Sequence, residues 1–188
     1  ARDQAPEPPP VAGVRVAESE GPLAGVRVLD LSRLLPGPFA TGVLRDLGAS
    51  VDKVEDSAGG DYLRFMPPTT AAGVNPAFVA LNRGKRSLTL DLKADEGKEI
   101  FRSLADGADV VVEGFRPGVT ARLGVDYATL AARNPRLVYC SIAGYGQTGP
   151  MRNVAGHEPA KGDASPNCSK HRGRLHRYPQ TVMLPVPE

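Results

Sequence analysis

Between residues 23 and 143, short apolar runs rich in β-branched residues alternate with stretches whose apolar positions recur every three or four residues. The first kind reads as strand and the second as helix. Residues 26–31 (VRVLDL) form the first strand signal, and Pro38 suits the first turn of a helix reaching about Leu47, with apolar residues at 39, 43, 44 and 47 at helical spacing. Gly48 stands where a helix stops, and 49–55 (ASVDKVE) returns as a second strand, which makes a βαβ unit with a right-handed crossover. Residues 57–74, rich in Gly, Pro and Thr, make a loop too long for a plain connector and are expected to be functional or mobile. A short helix or turn follows at 77–82, then an alternating strand at 87–92 and an amphipathic helix at 94–107 whose inner stripe is Ile100, Phe101 and Leu104.

The second half repeats the grammar. Residues 109–113 (DVVVE) are apolar without alternation, as in a strand buried on both faces. A turn at 114–118 leads into a short helical piece ending at Leu123, and Asp126 caps a helix running to Arg133. The last strand begins at Leu137 and runs out at Ile142 into a loop with Gly144, Gly146, Gly149 and Pro150, beyond which lie Ala155, Gly156, His157 and Glu158. Alternating strands and helices predict an α/β fold, a Rossmann-like doubly wound parallel sheet. The G-x-G-x-x-G fingerprint does not follow the first strand, which disfavours a nicotinamide enzyme.

Composition refines the boundaries. The chain has 188 residues, 41% of them apolar and only 5% aromatic, so one core built of Leu, Val and Ala is expected. No apolar run approaches the roughly 18 residues of a membrane span. Residues 1–22 are Pro-rich without a period and read as a flexible leader; 23–158 are the ordered unit. Residues 159–188 lose all periodicity and read as an irregular basic tail, expected to be a frame-shifted, mis-spliced or truncated continuation, or else a natural linker. Of the net charge of +2, that tail holds +3, from five cations against Asp163 and Glu188. No aromatic residues interleave with those cations, so a nucleic-acid partner is not expected. Cys168, His171 and His176 are too loosely placed to read as a metal site. Two cysteines make no disulfide framework, and a reducing, cytoplasmic setting is expected, or a mitochondrial or peroxisomal one in a eukaryote.

The stretches PLAGVRVLDLSRLLPGPFATGVLRDLGASVDKVE, LNRGKRSLTLDLK, ADVVVEGFRPGVTARLG and NPRLVYCSIAGYGQTGP, followed by AGHE, resemble in order and spacing the N-terminal part of the family III CoA-transferases. That family includes the α-methylacyl-CoA racemases. The resemblance covers roughly residues 22–158 and implies the first part of a larger domain, in a protein that forms an interlocked homodimer. It implies coenzyme A, carried as acyl-CoA, and a carboxylic acid as substrates, with no metal. Leu90, Asp91, Leu92 and Lys93 would embrace the adenine end of CoA, and Gly114, Phe115, Arg116 and Arg122 would contact its nucleotide. Such a ligand needs cations and backbone N–H groups at strand ends. Where relatives carry an arginine after the second strand's glutamate, this chain has Asp56; Arg83, Lys85 and Arg86 are candidate replacements, or else an ordinary cationic surface turn.

Two chemistries follow from the resemblance. In the transferases a carboxylate attacks the acyl-CoA thioester and CoA passes through an enzyme aspartyl thioester, dividing one hard transfer into easier steps. In the racemases a His and an Asp on opposite faces of the α-carbon exchange its proton. His157 and Glu158 stand where the racemases have a His-Asp pair, and are the candidate catalytic residues. The second catalytic aspartate has no match in the chain. A non-catalytic CoA-binding fragment is the third reading.

Overall fold

A computed structural model describes residues 20–153 and 180–183. Five strands, β1 (Arg27–Asp30), β2 (Ser50–Asp56), β3 (Arg86–Leu90), β4 (Val110–Glu113) and β5 (Val138–Ala143), are parallel. A sixth, β6 (Gln180–Met183), pairs antiparallel with β5, so a strand occurs inside the stretch expected to be irregular. Across the sheet the order is β3-β2-β1-β4-β5-β6. The chain winds outward from β1 in one direction and then from β4 in the other, which opens a crevice where their carboxyl ends diverge.

Among the described residues, five helices connect β1 to β5: α1 (Pro36–Asp46), α2 (Pro76–Leu81), α3 (Asp95–Asp106), α4 (Val119–Leu123) and α5 (Tyr127–Ala131). Successive strand residues face opposite sides. Leu29 and Val111 therefore join Phe101, Ala105, Leu130 and Tyr139 in one cluster, while Val28 and Val112 join Ala49 and Val51 in the other. The long loop after β2 is partly ordered by a short 3-10 turn, Tyr62–Phe65, capped by Asp61, whose carboxylate accepts from the Leu63 N–H at 3.1 Å.

Three local expectations are corrected. Ile100 is 49% exposed, and the inner face of α3 is Gly97, Phe101 and Ala105, with Leu104 packed at its margin. Gly97 decides this: an added Cβ would lie 2.0 Å from the Asp91 carbonyl oxygen, so the helix is seated on its glycine, and Ile100 is turned about a quarter-circle away. Asp126 occupies the N-cap position of α5, but its carboxylate accepts from the Thr129 hydroxyl at 2.6 Å instead of a backbone N–H. In α1 the regularly spaced Phe39, Val43 and Leu47 are exposed. The helix meets the sheet through Gly37, Pro38 and Thr41, because Thr41 is drawn inward to bond the buried Asp30 at 2.6 Å.

The seating of α3 makes a prediction. Gly97→Ala should cost about 1–3 kcal/mol, since the obstructing atom is backbone. A urea midpoint equal to the wild type's would contradict it.

Candidate functional site

A cleft of about 320 Å³ opens at the carboxyl ends of β1 to β4. Each strand end contributes: Leu31 and Arg33 after β1, Val54, Glu55 and Asp56 from β2, residues 90–93 at the end of β3, and Phe115 after β4. α4 closes the side with Val119, Arg122 and Leu123. Of the residues expected to hold a nucleotide, Leu90, Asp91, Leu92, Lys93, Phe115 and Arg122 therefore share one cleft. Gly114 and Arg116 flank Phe115 but do not line it. His157 and Glu158 lie outside the described residues.

Local geometry explains the arrangement. Past β3 the Asp91 carboxylate accepts from the Lys93 N–H at 2.9 Å, a tight turn that throws residues 91–93 over the sheet edge. The buried carboxylate of Glu113 accepts from the Phe115 N–H at 2.7 Å and from the Ser141 hydroxyl, which fixes the turn that carries Phe115. Burial pushes the Glu113 carboxyl above its usual range, against the pull of those two donors. Among the described residues no hydrogen bond or ion pair engages the side chains of Lys93, Arg116 or Arg122. Apolar walls with uncommitted cations at the rim suit a ligand that is part flat and apolar, part anionic.

The cationic turn at 83–86 does not line this cleft; of the two readings, a replacement cation or a cationic surface turn, the second fits Arg83 and Arg86. Arg83 pairs with Asp46 at 2.9 Å and Arg86 with Asp52 at 2.6 Å, both at the surface. Lys85 is buried, where its ammonium reaches Asp30 at 3.1 Å and the Pro38 carbonyl at 2.8 Å. Burial lowers the Lys85 pKa, and Asp30 opposes that shift. Arg33, which sequence reasoning missed, occupies the cleft instead, 3.7 Å from Asp56 and 5.7 Å from the Phe115 ring centroid.

Beneath the cleft runs a buried polar layer, also missed. Lys53 pairs with Asp61 at 3.1 Å, and Glu55 accepts from the Arg64 guanidinium at 2.6 and 2.8 Å, from the Asp61 N–H at 2.9 Å and from the Ser87 hydroxyl at 2.7 Å. Burial would raise the Glu55 pKa, but the donors outweigh it and hold the carboxyl at about 2. A lysine inside an apolar strand, as in VDKVE, was the available signal, since buried lysines require partners.

The model of CoA-transferase family III matches residues 23–186. This chain belongs to that family. Among curated relatives, the succinate–glutarate CoA-transferase of Agrobacterium fabrum is 47% identical over 143 residues, covering 73% of this chain and 36% of the relative. The acetyl-CoA:oxalate CoA-transferase of Acetobacter aceti is 44% identical over 142 residues, covering 76% and 36% respectively. A solved CaiB/BaiF family protein from Brucella suis is 46% identical, with a TM-score of 0.68 over 73% of this chain and 37% of that one. The chain thus spans about a third of the length of the relatives it matches. The family match runs past Glu158, where the motif resemblance ended.

The depressed Glu55 pKa carries a stability prediction. Its contribution is complete above the ordinary value of 4.5 and is lost as pH falls toward about 2. Wild-type denaturation midpoints should therefore fall on acidification through this window, and the acid limb of Glu55→Gln should be shallower. Parallel acid limbs for the two proteins would contradict the role given to Glu55.

Proposed function

We propose that residues 23–153 form the CoA-binding part of a family III CoA-transferase, whose reaction moves CoA from an acyl-CoA donor to a carboxylic acid. The observation that carries this reading is the convergence of residues 90–93, Phe115 and Arg122 on one cleft at the switch point of the sheet. In it, Leu90, Leu92 and Phe115 supply apolar contact for the adenine. Lys93 and Arg122 supply charge for phosphate groups, with Gly114 and Arg116 beside them on the strand-end turn. These residues bind and orient the ligand and exclude water from it.

The Gly156-His157-Glu158 stretch favours a second reading, exchange of the α-proton of a 2-methylacyl-CoA with His157 as one of two bases. A partner carboxylate on the far side of the α-carbon is needed for that reaction. A pair of assays separates the readings. Passage of CoA between two carboxylic acids, with an enzyme thioester trapped by hydroxylamine, supports the transferase. Deuterium uptake at the α-carbon in heavy water, without transfer, supports the racemase. CoA binding with neither reaction is the outcome for a binding fragment.

For the cleft itself, Arg122→Ala should weaken CoA binding about tenfold, as expected for loss of one charge-assisted hydrogen bond, with little change in thermal stability because the side chain is exposed. Titration calorimetry and a thermal melt measure the two. Unchanged affinity would contradict the assignment of Arg122.

A further inference from the structure

One buried ion pair holds the backbone on both sides of Arg33. The Ser32 carbonyl accepts from the Lys53 ammonium at 2.9 Å. Leu34 N–H donates to the two Asp61 carboxylate oxygens at 3.3 and 3.4 Å. Lys53 and Asp61 meet at 3.1 Å, with only 2% and 1% of their side chains exposed. Leu34 is held at φ 62°, a left-handed conformation uncommon for a non-glycine residue, which persists where the surroundings over-determine it. Those surroundings are tight. Asp61 is itself fixed by Glu55 and by the Leu63 N–H, and Gly37 packs so closely on Ser32 that an added Cβ would lie 2.1 Å from the serine Cβ.

What this clamp presents is the guanidinium of Arg33. Its contact with Asp56 is long, at 3.7 Å, and the two side chains are 39% and 35% exposed. Loose, half-exposed ion pairs contribute little to stability, so this one exchanges readily for a better anion. A fully buried pair such as Lys53 with Asp61, by contrast, is seldom retained for stability alone, since apolar residues of like size would serve as well.

We propose that Lys53 and Asp61 are positioning residues for ligand binding: they clamp the backbone on either side of Arg33 so that its guanidinium leaves Asp56 for a phosphate group of the ligand in the cleft. This rests on the reading of the cleft as a CoA site. It assigns to Arg33 the cationic contact that Asp56 cannot make, and gives the buried pair its task.

The test is calorimetry on the full chain with CoA, with inorganic pyrophosphate, and with pantetheine, which carries no phosphate. Arg33→Met should weaken CoA binding about tenfold and leave pantetheine within about twofold. Lys53→Met/Asp61→Leu, which removes both buried charges, should show the same selective loss. Combining all three substitutions should weaken CoA no further than about twofold beyond either, because the clamp acts only through Arg33. Lys53→Gln/Asp61→Asn, which keeps a donor for Ser32 and an acceptor for Leu34, should restore binding to within about threefold. Wild-type affinity in a folded Lys53→Met/Asp61→Leu chain overturns the proposal. So does an equal loss for pantetheine, a full product of the separate losses in the triple variant, or a tenfold loss in the folded amide pair. Should Lys53→Met/Asp61→Leu fail to fold, the amide pair still decides. A wild-type chain that binds pyrophosphate through Arg33 but not CoA keeps the clamp and overturns the CoA reading. One that binds neither overturns both.

Discussion

Lys53 and Lys85 each carry an ammonium group out of water to an aspartate beneath the carboxyl ends of the strands. Lys85 meets Asp30, and Lys53 meets Asp61, at 3.1 Å in both cases, with all four side chains almost wholly buried. Removing one member would leave an uncompensated charge in the interior, at a cost of about 3–5 kcal/mol. The site depends on this layer. Asp30 gathers Ser32, Thr41 and Lys85, which sets the start of α1; Asp61 gathers Lys53, Leu34 and Leu63, which joins the long loop after β2 to the loop after β1. On the side of the cleft built from β1 and β2, these charges tie the loops after the two strands to each other and to the start of α1.

The same layer explains an asymmetry in the fold. Among the described residues, one face of the sheet packs a cluster of twelve buried apolar residues under α3 and α5, while the other packs four under α1. The turn of α1 nearest the sheet is committed to Asp30 through Thr41 and so carries little apolar burial. Leu35, Phe39, Val43 and Leu47 then fall on the outward side at intervals of four and form an apolar ridge.

The alternation of strands and helices along residues 23–143 was legible in the sequence because the apolar periods are clean; DVVVE reads as a strand buried on both faces, whereas the order β3-β2-β1-β4-β5-β6 across the sheet was not read from the sequence. Residues 90–93, Phe115 and Arg122 were legible only through family resemblance. Asp91, Lys93 and Arg122 are exposed polar positions, which periodicity treats as surface. Periodicity also shows that a stripe exists without saying which way it faces, as Phe39 and Ile100 demonstrate. Arg33 could not be found from its neighbours, since its place depends on a left-handed residue, Leu34, that no local preference announces. In the turn Arg83-Gly84-Lys85-Arg86 the three cations look equivalent in sequence, yet Lys85 is buried while Arg83 and Arg86 are paired at the surface.

The proposed seating of CoA in the cleft at the ends of β1 to β4 is open to direct measurement. Backbone amide resonances of an isotope-labelled chain titrated with CoA test it most directly. The largest shifts should fall on residues 90–93, on Arg33, on Phe115 and along α4, with α5 and the outer ridge of α1 undisturbed. Shifts concentrated on that ridge, or on the loop beyond β5 with the cleft silent, would contradict it.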